Sequence, residues 1–510
     1  MQQRKLSAGF SPIAGAAERR LGALISFLVL ALIIEIALTH RTLFNDGAFI
    51  LFNTILERQF IFWETARKSL HALSLWPITF WVKLGWPLDF NTASYLFSAG
   101  FFWISVLSLI ICYYVLPPDK KGLYFFPLSQ WVLGVTPGIG QPTACLVNAV
   151  SYYWLVLFFL LYVPLNTFRT RFAFVLLSTP LFLSNELIFV IGIIFALVAL
   201  NRAKKEEGRA ATLLWCFALW SIFAAIVGIY YVVFPWSEDN RTYFLESIFN
   251  LYFLYSHDGL NPTSLVCVFG VLSLISLTLA EHVRWLKALM LFLLAFWIAA
   301  LAFPLLGLLD IESLIMRERP YWGRVWIAIS APILMWCFLR LRNRQIPRVF
   351  WFLLAASALI LFSISAASNV YYGRFIAQLQ ASVKACRGEI VIEDSSKMKV
   401  PSKVYQNFWS AWTALQISTL VSPDFRVRSV FVVPSDSTQA KEREKLAKFA
   451  EMRHGYFDFG EYVLFVKQGV SNCPSDAPIR PEEKSDDQPQ ATVYPSDLNG
   501  QYGKTGSPLI

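Results

Sequence analysis

The 510-residue chain is 56% apolar and only 15% charged, whereas an ordinary soluble domain is about a quarter charged. Its 44 Phe, 20 Tyr and 18 Trp are more apolar surface than a water-soluble fold of this length can hide. The formal charge of +10 does not point to nucleic acid, because many of the basic residues sit in short segments between apolar runs.

A membrane span takes about 20 apolar residues to cover a hydrocarbon core about 30 Å thick. The first such run is 22–39, preceded by Arg4, Lys5, Arg19 and Arg20. No small-residue cleavage pattern closes it, so it reads as an uncleaved first helix. Further runs follow at 95–116, 123–135, 146–164, 172–183, 187–200, 211–235, 263–279, 288–309, 323–339 and 348–366. The expectation is an all-α polytopic membrane protein of about eleven spans over residues 22–366, in which the short runs 123–135 and 172–183 are tilted, broken or re-entrant. With residues 1–21 in the cytoplasm, the segments on that side carry 18 Lys and Arg, against 8 in the opposite loops before the tail. That bias predicts a cytoplasmic N-terminus and an outer C-terminus.

The first outer loop, 40–94, is long and patterned. Ile50, Phe52, Ile55, Leu56, Phe60 and Phe62 alternate with Asn53, Glu57 and Arg58, which predicts a surface helix. A second helix is expected over about 64–83, kinked before Pro77. Trp63, Trp76, Trp81 and Trp86 suit the headgroup level. Asp46, between Asn45 and Gly47, has two compatible readings. It caps the helix after it, or it is a carboxylate at the membrane boundary that acts as a base or metal ligand.

Glu186, in SNELIF, is a carboxylate near an outer turn, where a charge is usually paired or functional. The loop 236–262 carries Glu238 and Asp239 before a helical stretch at 241–255, with His257 and Asp258 after it. These could form an acid–base or metal cluster, or simply solvate the loop ends. In the loop 310–322 and just beyond it stand Arg317, Arg319 and Arg324. They either neutralise Asp310, Glu312 and Glu318 or present forked donors to phosphate oxygens.

Beyond the spans, 367–470 reads as a small outer α/β domain, with a helix at 371–385 and strands at 388–394, 427–433 and 461–467. Residues 471–510, rich in Pro, Ser, Asp and Gln, have the composition of a disordered tail. Cys112, Cys145, Cys216, Cys267 and Cys337 lie in or beside spans and read as packing residues. Cys386 and Cys473, in the tail, are free to form a disulfide if that region is outside.

One span, a long first outer loop with an acid near its start, many further spans and an outer C-terminal domain together resemble the GT-C superfamily of membrane glycosyltransferases. The resemblance covers the architecture of about residues 20–366, and its local match is FNDGAF, where Asp46 stands at the family's first-loop acid. Asn45 stands where several members have an adjacent second acid, and the tail lacks the oligosaccharyltransferase signature. The resemblance implies a polyprenyl-phosphate sugar donor in a bacterial inner membrane and a glycan, glycolipid or protein acceptor. Asp46 would then be the catalytic base, and Arg317, Arg319 or Arg324 would hold the lipid phosphate. Glu186, Asp239, His257 and Asp258 would touch the acceptor or a divalent cation such as Mg or Mn. The competing classes are a transporter or flippase of lipid-linked glycans, which needs more ionisable groups within its spans, and a glycan polymerase or ligase, which needs a large central outer loop.

Overall fold

The computed structural model describes residues 14–44, 46–58, 60, 67–139, 146–234, 255–256, 259–280, 284–307, 320–385, 390–394, 417, 420–421 and 429–433. Within these, seven helices are long and apolar enough to cross a bilayer, an all-α, multi-pass membrane architecture. They are α1 (Ala14–Leu38), α4 (Phe90–Val115), α9 (Gly208–Val233), α10 (Pro262–Leu279), α11 (Arg284–Gly307), α12 (Pro320–Leu341) and α13 (Arg348–Ala385). Their outward faces are bare and apolar, as at Phe27, Leu219, Leu291 and Phe303, all more than 60% exposed. Ser105, Asn148, Ser221 and Ser330 are buried between helices. An apolar exterior over a small-polar interior suits a lipid solvent.

The other expected spans are shorter. Two apolar helices, α6 (Leu146–Tyr162) and α8 (Ile188–Ala203), have 17 and 16 residues. The run at 123–135 is a composite: a 3-10 stretch at Pro118–Tyr124, α5 (Phe125–Ser129), a π-helical stretch at Gln130–Val135 and a 3-10 turn at Thr136–Gly138. Pro127 and Pro137 cannot donate to an α ladder, and their ring geometry favours such switches. The run at 172–183 is α7 (Phe168–Ser178), ended by a 3-10 turn at Thr179–Leu181 that contains Pro180. Length alone therefore carries seven of the eleven expected spans.

Small residues set the closest crossings. α8 and α9 form a hairpin in which a Cβ on Gly192 would stand 2.6 Å from the Ser221 carbonyl, so only glycine fits. α1 and α13 run parallel: Gly22 meets Trp351, Glu35 meets Asn369 and Thr39 meets Gly373. Ala385 therefore leaves the bundle at the end opposite Ala14.

The segment between α1 and α4, expected as the first outer loop, holds α2 (Asp46–Glu57) and α3 (Lys68–Lys83). Neither is a detached surface helix. Ala48, Phe49, Ile50, Leu51, Asn53 and Thr54 of α2 are buried. α3 stands antiparallel against α4, with the Trp103 indole donating to the Leu73 carbonyl (2.8 Å) and Gly100 against Ser74 and Pro77. Trp81 donates to the Pro87 carbonyl across the connecting turn at 3.0 Å. The physical reason is Gly100 on α4, whose missing Cβ lets the α3 backbone at Ser74 and Pro77 approach closely.

Beyond the spans, α13 continues without a break through the expected boundary at 366, giving one helix of 38 residues. Tyr372, Phe375, Ile376 and Leu379, at helical spacing, bury its extension. The strand readings near 390 and 430 correspond to β3 (Ile390–Asp394) and β4 (Ser429–Val433), which pair in parallel. A two-residue hairpin, β1 (Tyr255–Ser256) with β2 (Gly259–Leu260), precedes α10. The expected helix at 241–255 and the strand at 461–467 fall outside the described residues, apart from Tyr255 in β1.

Candidate functional site

The chain leaves α1 through His40, in the left-handed region at φ 56, and a buried 3-10 turn, Arg41–Leu43. Two side chains lock this turn to one face of α4. His40 Nδ1 lies 2.9 Å from the Ser94 hydroxyl, and the Thr42 hydroxyl lies 2.7 Å from that of Ser98. The His40 ring also stacks on Tyr95 at 5.5 Å. Burial pushes the His40 imidazole down to about 4, so it is neutral near pH 7.

Arg41, next in the chain, is only 2% exposed. Its guanidinium covers Phe44 at 4.3 Å and Tyr372 of α13 at 4.9 Å, a pair of cation–π contacts. Within the same region Asn369 Nδ2 donates to Glu35 Oε2 at 2.6 Å, tying the end of α1 to α13. The positive charge of Arg41 acts on Glu35 as well. Three residues after Phe44 ends the turn, Gly47 N–H donates to the Phe44 carbonyl at 3.3 Å and α2 is under way. Asp46 is the first residue of that helix, and its side chain lies outside the described set. Its backbone is thus placed by an anchored turn on one side and a buried helix on the other.

A second polar cluster joins the start of α3 to the turn before α8. Arg67 Nε donates to Glu186 Oε2 at 3.0 Å, with both side chains about a quarter exposed. Ser69 donates to the Phe182 carbonyl at 2.5 Å, and its N–H to the Leu183 carbonyl at 3.1 Å. Gly228 leaves room for the Glu186 backbone, since a Cβ there would come within 3.1 Å of its carbonyl oxygen. Burial works to raise the Glu186 carboxyl. The charge and hydrogen bond of Arg67, with help from His71, outweigh it and hold the group below the usual carboxylate range. The expectation that Glu186 is paired or functional resolves into this ion pair.

Arg324 lies in the first turns of α12. The next residue but one, Trp326, donates its indole N–H to the Leu133 carbonyl of the π-helical stretch at 2.6 Å. Gly323 sits against the backbone of Pro137 and Gly138. The arginine is half-buried at a tightly held helix start. Its loop companions Arg317 and Arg319 lie outside the described residues, as do Asp239, His257, Asp258, Cys386 and Cys473. Among the described residues no group of three or more His, Cys, Asp or Glu gathers to hold a metal ion. The described cysteines 112, 216, 267 and 337 are free thiols; three are buried, and Cys216 faces outward.

No family model, curated protein or solved structure matches this chain. Sequence reasoning passed over Arg41, Arg67, Asn369 and Tyr372. The signal for the two arginines was present, because a carboxylate within or beside a span needs a partner. Glu35 and Glu186 each have an arginine available in the segment between α1 and α4.

Proposed function

We propose that the chain is a membrane glycosyltransferase that moves a sugar from a polyprenyl-phosphate donor to a glycan, glycolipid or protein acceptor at the outer face of a bacterial inner membrane. In this reading all eleven apolar runs traverse or enter the bilayer, the N-terminus is cytoplasmic, and an α/β domain closed by Cys386–Cys473 follows α13 outside. The observation that carries it is the build of the first loop. An acid, Asp46, opens a buried short helix directly after a turn clamped to α4 and α13. A reacting group needs that kind of fixed support.

In the proposed step Asp46 accepts the proton of the acceptor hydroxyl, whose oxygen attacks the anomeric carbon of the sugar. The bond from that carbon to the phosphate oxygen breaks, and the polyprenyl phosphate leaves with the electron pair. Arg324, with Arg317 and Arg319, would stabilise the charge that gathers on the phosphate. The pairing of Glu186 with Arg67 fits a supporting role near the acceptor rather than proton transfer. A divalent cation, if the reaction uses one, would be held by Asp46 or by Glu186, Asp239, His257 and Asp258, the residues that the resemblance implies.

The test is Asp46→Asn, which keeps the shape and much of the capping ability but removes the base. Membranes lacking the native protein receive the variant and a radiolabelled polyprenyl-phosphate sugar. The variant is expected to accumulate normally and lose roughly 10²–10⁴-fold in transfer. Near-normal turnover at saturating donor removes Asp46 from the chemistry.

A further inference from the structure

At the end of the bundle opposite Asn369 and the first-loop turn, a cavity of about 820 Å³ opens between the start of α1, the stretch 118–124 and the loop joining α12 to α13. Its lining includes five cations, Arg19, Lys120, Lys121, Arg342 and Arg344. Among the described residues only Glu18 and Asp119 oppose them, and Arg348 lies near enough to Glu18 to offset that charge. The cavity is therefore a site for an anion, and one much larger than a simple ion.

Several cations are held in place by the protein itself. Arg19 Nε donates to the Gly15 carbonyl at 2.8 Å. Lys120 lies over the Tyr162 ring at 5.6 Å. Lys121 donates to the Tyr113 carbonyl and covers that ring at 4.2 Å. An ammonium has three donors, so each lysine keeps some for a ligand. The α1 wall is cut away by Gly15, Gly22, Ala23 and Ser26, and the inner wall is the buried indole of Trp351.

The rim decides what kind of anion fits. Ile110 and Tyr114 of α4 border the cavity and are 47% and 76% exposed, on the apolar exterior of the bundle. A ligand here meets cations at its head and an apolar helix face alongside. Basic pockets between membrane helices recognise lipid headgroups by this combination. We propose that the cavity seats the phosphate headgroup of an anionic phospholipid, whose acyl chains lie along α4. The proposal rests on the membrane architecture and not on the glycosyltransferase reading.

Native mass spectrometry of the full-length protein, delipidated in detergent and titrated with phosphatidylglycerol or phosphatidylcholine, tests it. Phosphatidylglycerol is expected to bind saturably and at least about tenfold more tightly than phosphatidylcholine. Each basic residue near an anionic headgroup strengthens binding about fivefold. Arg342→Gln with Arg344→Gln should therefore weaken phosphatidylglycerol binding by roughly thirtyfold. Lys204→Gln with Lys205→Gln removes two exposed cations outside the cavity and should change nothing. Lys120→Gln alone, the fallback should the double variant misfold, should cost about fivefold. Equal binding of the two lipids, equal loss in the Lys204/Lys205 control, or wild-type binding by the cavity variants overturns the proposal. Displacement of the lipid by inorganic phosphate at matched concentration overturns the lipid assignment in favour of a free phosphate.

Discussion

Replacing Gly323 by Ala puts one methyl group where two segments already touch. A Cβ at this position would lie 2.1 Å from the Pro137 carbonyl oxygen and 2.3 Å from the Gly138 backbone. Ordinary contact begins near 3.4 Å, so α12 and the 3-10 turn must separate by about 1.3 Å. The obstructing atoms are backbone, and no side-chain rotation relieves them. Overpacking of this kind costs about 1–3 kcal/mol. The same displacement stretches the Trp326–Leu133 bond, now 2.6 Å, and losing a buried hydrogen bond adds about 1–3 kcal/mol. Gly323→Ala is expected to lose about 2–6 kcal/mol. The measurement is thermal unfolding of the purified protein in detergent, followed by size-exclusion recovery after heating. Gly15→Ala is the control, since its nearest neighbour would be 3.9 Å away. It should be neutral or gain up to about 1 kcal/mol from helix propensity. A Gly323→Ala variant that melts with the wild type refutes the close-packing argument.

Arg67→Gln removes the partner of Glu186 and should cost about 1–3 kcal/mol at neutral pH. The folded carboxyl is held below 4.5, so the stabilisation is full above that value and lost as pH falls through the lowered one. The gap between variant and wild-type melting should close in that acid range, and a pH-independent gap would refute the ion-pair assignment. His40 is held down at about 4, so the fold loses stability as pH falls from about 6.5, where the unfolded side chain begins to protonate, towards 4. His40→Gln should flatten the melting profile across that window, and an unchanged profile would refute the reasoning. For topology, Lys205→Cys and Ser435→Cys should label from opposite sides of the membrane in intact cells; labelling from one side refutes the proposed orientation.

Apolar run length was enough to locate most of the bundle, because lipid-facing helices must be apolar throughout. It gave α9, α10 and α12 to within a few residues. It could not show that the stretch 118–138 around this run changes helical type three times, since that depends on how Pro127 and Pro137 redirect hydrogen bonds among neighbours. It ended the last span at 366 because mean hydropathy falls there, yet Tyr372, Phe375, Ile376 and Leu379 continue the buried stripe. The site was legible only in part. Asp46 and Glu186 stood out as acids near span ends. Arg41 and Arg67 were counted as loop charges, and only contacts between segments distant in sequence, such as Arg67 with Glu186, give them a role.

The unbroken α13 has a mechanical consequence. Its 38 residues extend about 57 Å, nearly twice the roughly 30 Å of a hydrocarbon core. β3 begins five residues after it ends, and β4 touches the helix. The β3–β4 pair is thus carried on a mast whose height is fixed by residue count. Seven added residues would lift it about 10 Å and swing it only about 20°. Four added residues would lift it about 6 Å but turn it by about 40°. Reach and facing can therefore be varied almost separately, which makes this helix a ruler for the position of the β3–β4 pair.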